Sequence, residues 1–85
     1  MSGWSAKDAI YEDDLRRYVE QHIVREVLVS RFEGGEWCLC VRLGGPTSRW
    51  IPVRSQRETV RTWASLDTLT KWADRLGLRG YALQM

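Results

Sequence analysis

The sequence predicts an α+β fold: a small antiparallel sheet of four to five strands, with an N-terminal and a C-terminal helix packed on it. Three observations predict it. Apolar residues recur at helical spacing near both ends of the chain. Between them run β-rich stretches, "VREVLVSRF", "WCLCVRL" and "RWIPVRS", punctuated by Gly, Pro and Ser. Finally, 85 residues with five Trp, three Tyr and one Phe suffice for one aromatic-rich core and not for two. The chain therefore reads as a single domain over 1–85, with residues 1–4 frayed, a helix over 5–23, and sheet plus helix over 24–85.

The first helix opens at Ser5-Ala-Lys-Asp8, a capping-box pattern with Asp in place of Glu. Tyr11, Leu15, Tyr18, Val19 and His22 form its apolar stripe, and Glu12–Arg16 and Asp13–Arg17 are i,i+4 pairs on its wet side. Gly34-Gly35 then marks a two-residue hairpin turn. That turn sets Phe32 opposite Trp37, Ser30 opposite Leu39 and Leu28 opposite Val41 on one apolar face. The other face takes Val27, Val29, Cys38 and Cys40. Residues 49–55 make a third strand, placed at an edge or a bulge because Pro52 lacks a ladder donor. A short fourth strand is expected over 58–64. Ser65 caps a helix whose stripe is Leu66, Leu69, Trp72, Ala73 and Leu76, and Gly77 ends it. Residues 78–85 close the sheet as a last strand.

No apolar run reaches the length of a membrane span, and the N-terminus lacks the basic-then-apolar order of a secretory signal. The expected location is cytoplasmic, where Cys38 and Cys40 stay reduced. Net charge is +2 but unevenly spread. Residues 1–34 hold seven acidic and five basic side chains, and the rest hold four acidic and eight basic.

Few residues suit catalysis. Structural zinc wants four ligands, whereas this chain offers two Cys and one His. A disulfide between Cys38 and Cys40 along one strand would span roughly 6.7 Å between Cα atoms, the outer edge of workable geometry. The pair reads as two small apolar side chains on a strand. His22 reads as a packing residue on the first helix. No serine sits in a nucleophile motif, and "EGGE" and "GGP" read as turns rather than phosphate loops. The expectation is a non-enzyme with neither cofactor nor metal.

The segment richest in recognition chemistry is 42–63. Arg42, Arg49, Arg54, Arg57 and Arg61 are interleaved with Trp50 and Trp63, against Glu58 alone. Arginine and tryptophan are the residues enriched at protein interfaces. The same set can track phosphates and stack bases, but a net charge of +2 is low for a nucleic-acid binder. Val27, Val29, Cys38 and Cys40 form a second candidate, a dimer or partner strip on the sheet.

The stretch "WIPVRSQRETVRTWASLDTLTKWADRLGLRGYALQM" carries a recurring order. A strand and turn lead into Arg-Thr-Trp-Ala-Ser-Leu-Asp, then an amphipathic helix, Leu-Gly and a closing strand. In this order, residues ~37–85 resemble the ParC-type partition-associated accessory proteins of plasmids. The resemblance implies a non-enzymatic bacterial accessory protein of a mobile element. Such elements also carry small anti-CRISPR inhibitors of the same size class. The sequence thus leads to a small macromolecule-binding protein of a plasmid or other mobile element, acting by protein–protein contacts. An anti-CRISPR-type inhibitor and a DNA- or RNA-binding protein using segment 42–63 are the alternatives.

Overall fold

A computed structural model describes residues 9–84. In chain order, β1 (Ile10–Tyr11) leads into α1 (Glu12–Glu20), followed by β2 (Glu26–Arg31), β3 (Trp37–Arg42), β4 (Ile51–Arg54), α2 (Leu66–Leu76) and β5 (Ala82–Gln84). The fold is α+β, with a five-stranded sheet in the order β1-β4-β3-β2-β5. The sheet is mixed rather than wholly antiparallel. The β4–β3–β2 centre is antiparallel, and both outer strands, β1 on β4 and β5 on β2, run parallel to their neighbours.

The expected helix over 5–23 is shorter where it is described. Its Ser5–Asp8 cap and the frayed residues 1–4 lie outside the described residues. Ile10 and Tyr11 pair with Val53 and Arg54 as β1, and Ile10 is buried beside the core, so tertiary pairing overrides the helical pattern there. Glu12, Asp13 and Asp14 in the first turn of α1 favour its start electrostatically. Its end is a Schellman closure: Ile23 N–H donates to Tyr18 O and His22 N–H to Val19 O. His22 occupies the left-handed position, at φ 58°, and is exposed. It is a helix stop, which corrects its expected place on the packing stripe. The wet-side pairs are Glu12–Arg16, as expected, and Asp14–Arg17 at i,i+3 in place of Asp13–Arg17.

The β2–β3 hairpin differs from expectation by one residue. Phe32 N–H bonds Glu36 O, so the loop is Glu33-Gly34-Gly35, with both glycines at positive φ. Three loop residues in place of two move every partner, and a one-residue slip turns a strand's side chains to the other face. Val27 now lies opposite Val41, Val29 opposite Leu39, and Leu28 opposite Cys40. Val27 and Val29 therefore enter the core beside Leu39 and Val41, while Leu28 and Ser30 share the other face with Cys38 and Cys40. The strip expected from Val27, Val29, Cys38 and Cys40 does not exist as one face.

Both helices cover the same side of the sheet. Leu15 of α1 and Leu69, Trp72, Ala73 and Leu76 of α2 share one core with Ile10, Val27, Val29, Leu39, Val41 and Val53. The two helices also meet each other: a Cβ on Gly77 would lie 3.2 Å from Val19 Cγ1. Ser65 caps α2 by accepting from Thr68 N–H at 3.1 Å, as its sequence predicts. The strand expected over 58–64 does not form: the chain bends at 59 and 60, Arg61 N–H bonds Val53 O at 2.8 Å, and Trp63 makes an isolated bridge with Trp37, joined by two 2.9 Å backbone bonds. No helix among the described residues is long and apolar enough to cross a membrane.

Candidate partner-binding surface

With α1 and α2 on one side, the other side of the sheet carries no helix among the described residues. Alternation along each strand decides what it shows. One row runs from Trp50 through Arg42 to Glu26, a second from Pro52 through Cys40 and Leu28 to Ala82, and a third from Tyr11 through Arg54 towards Cys38 and Ser30. Cys38, Cys40 and Pro52 are fully buried and make the floor.

Two arginines are laid on aromatic rings along this face. The Arg42 guanidinium carbon stands 4.2 Å from the Trp50 ring centroid, and that of Arg54 stands 4.6 Å from Tyr11. Such contacts are worth ~0.5–1 kcal/mol at exposed sites, and they fix the direction in which each fork points. Arg42 is held further by Glu26, through Nε at 2.7 Å, and by Pro46 O at 3.0 Å. Arg54 donates through Nε to Ser55 O at 3.3 Å.

At one end the face opens into a cleft of about 300 Å³, lined by Tyr11, Glu12, Asp13, Arg54, Gln56 and Arg61. Its charges are mixed. Arg61 pairs with Glu12 at 3.1 Å and also lies over Trp63 and Trp72.

The two thiols are free. Cys38 is drawn down from an ordinary 9.0 to about 7, chiefly by the hydrogen bond from Cys40, with burial opposing and Ser30 assisting. Cys40 is pushed up by that same hydrogen bond, by burial and by the charge on Cys38. Because both sulfurs are buried, a thiol reagent such as Ellman's should titrate neither quickly in native protein and both at once in denaturant. Fast reaction of one thiol in native protein would contradict this geometry. Among the described residues, no group of three or more His, Cys, Asp or Glu could hold a metal ion.

The structure divides the sequence's candidates. Arg42, Trp50 and Arg54 come together on the helix-free face. Arg49 and Arg57 are exposed in the loops before and after β4. Trp63 is buried in the core, and Arg61 is half-buried on the helix side. Tyr11 and Glu26 were not anticipated. Tyr11 reads as part of a helical stripe, and only β1 pairing brings it to Arg54. Glu26 becomes legible once Arg42 is known to lie opposite it.

No protein family, curated protein or solved structure matches this chain.

Proposed function

We propose that this is a small, non-enzymatic binding protein of a plasmid or other mobile element. It works in the bacterial cytoplasm by occupying a site on a protein partner through the helix-free face. The observation that carries the reading is the pair of guanidiniums laid on Trp50 and Tyr11 above a buried floor. Pre-oriented arginines and large rings lose little conformational freedom when a partner docks, and these are the residue types that anchor interfaces.

The same details favour protein over nucleic acid. Arg42 and Arg61 are already committed to Glu26 and Glu12, Trp63 is buried, and the Trp50 and Tyr11 rings each carry a guanidinium where a base would stack. The partition-associated resemblance supports an accessory role. Inhibition of a host defence complex, of the anti-CRISPR kind, would use the same occupancy mechanism on a different partner.

Affinity capture with the tagged chain from nuclease-treated bacterial extract tests this. The expected result is one stoichiometric protein complex that persists at moderate salt. Recovery of a partition ATPase supports the accessory reading, and recovery of a CRISPR effector supports the inhibitor. Binding that disappears with nuclease and falls steeply with salt would replace the proposal with nucleic-acid recognition. Turnover of a substrate would overturn the non-enzymatic assignment.

A further inference from the structure

The two edges of the sheet are built differently. At one edge, β1 is only two residues long, turns at once into the acidic start of α1, and has Arg54 lying over Tyr11. Both edge strands are short, so what distinguishes the β1 edge is its charge, a usual means of blocking strand addition. At the other edge, β5 pairs with β2 on its inner side, Leu28 beside Ala82 and Ser30 beside Gln84. Its outer side has no neighbour among the described strands. Ala82, Leu83 and Gln84 are all exposed, and Leu83 is 48% exposed, the most of any large apolar side chain described. From Gly80 to Gln84 there is neither a charge nor a proline.

We propose that β5 is a self-association edge, pairing antiparallel with β5 of a second copy of this chain. A two-fold contact sets each strand against itself, so any charge near its centre would meet its own copy. In a chain whose residues are 28% charged, this edge is neutral and self-complementary. With Leu83 on the axis, Leu83 meets Leu83 of the second copy and Ala82 lies opposite Gln84.

The two-fold axis of an antiparallel pair stands normal to the sheet. Both helix layers therefore stay on one side, and both Arg/aromatic faces point to the other. The dimer is a continuous ten-stranded sheet with two copies of that face side by side, which makes any binding there bivalent. Three residues per strand give a contact at the small end of specific interfaces, below about 1,200 Å². A concentration-dependent equilibrium follows, not a permanent dimer. The dimer stands or falls independently of what the face binds.

Sedimentation velocity of the full chain across a concentration series tests the edge. The expected result is a monomer that passes to a dimer and no further. Leu83→Lys should raise the dissociation constant by about tenfold or more while leaving the circular dichroism and Tm of the monomer unchanged. Leu83→Cys should form an intermolecular disulfide under mild oxidation, and Lys71→Cys, on exposed α2, should not. A monomer at every concentration would overturn the proposal. So would a dimer that Leu83→Lys leaves intact, or growth past the dimer, which would indicate β5 pairing with a different edge.

Discussion

Replacing Leu39 with alanine is expected to remove about 2–5 kcal/mol of stability, the range for a leucine deleted from a well-packed core. Leu39 is fully buried at the middle of β3, the central strand, between Val29 on β2 and the helix layer. The neighbouring elements are tied to one another, α1 against α2 and Trp63 against Trp37, so the cavity has little room to collapse. A domain of this size has roughly 4–13 kcal/mol to lose at ~0.05–0.15 kcal/mol per residue. The Tm should therefore fall on the order of 20 °C. Leu28→Ala makes the same deletion one face over, at a half-buried position opposite Cys40, and should cost clearly less. Denaturant unfolding measures both. Equal losses would mean that Leu28 is as deep as Leu39, and the hairpin register would be wrong.

The second large effect is expected at Trp72, where Trp72→Ala should cost about 3–5 kcal/mol. This side chain packs on Trp63 with ring centroids 5.0 Å apart and donates its Nε1–H to Glu12 Oε1 at 3.3 Å. Glu12 also holds Arg61, whose guanidinium lies over both indoles. One substitution thus loosens α2, the start of α1 and the stretch before α2 together. Trp72→Phe keeps most of the ring packing and loses the bond to Glu12, for a cost of ~1–2 kcal/mol. Thermal melts of the two variants separate packing from hydrogen bonding. If Trp72→Phe is as damaging as Trp72→Ala, the bond to Glu12 dominates and the packing argument fails.

Much of the architecture was legible because it rests on periodicity and on local chemistry. The stripe of Leu69, Trp72, Ala73 and Leu76 with Ser65 before it and Gly77 after it specifies α2 without tertiary information. The alternation in "WCLCVRL" is equally direct: Trp37, Leu39 and Val41 face the core, and Cys38, Cys40 and Arg42 face away. What sequence did not yield depended on pairing. Whether the Gly34-Gly35 turn takes two loop residues or three is a small difference in backbone geometry, yet it decides whether Val29 or Leu28 is buried. Ile10 and Tyr11 fit a helical stripe as well as a strand, and only the free edge of β4 selects the strand. Of the seven residues marked in segment 42–63, those on the outward face of β3 and β4 share the surface. Trp63 is drawn inside by its bridge to Trp37. Spacing along the chain does not encode that partition.

The helix-free face is the proposed working surface, and a matched pair of charge reversals in the capture assay tests that assignment most directly. Arg54→Glu with Arg57→Glu alters that face and the turn beside it. Lys71→Glu with Arg75→Glu alters the exposed side of α2, on the far side of the molecule. The two variants carry the same net charge, so nonspecific attraction changes equally. The prediction is that the first variant loses the partner while its Tm falls by less than about 8 °C, the loss of the Arg54–Tyr11 contact, and the second retains the partner. Loss of the partner in the α2 variant, with the Arg54/Arg57 variant still bound, would contradict the account.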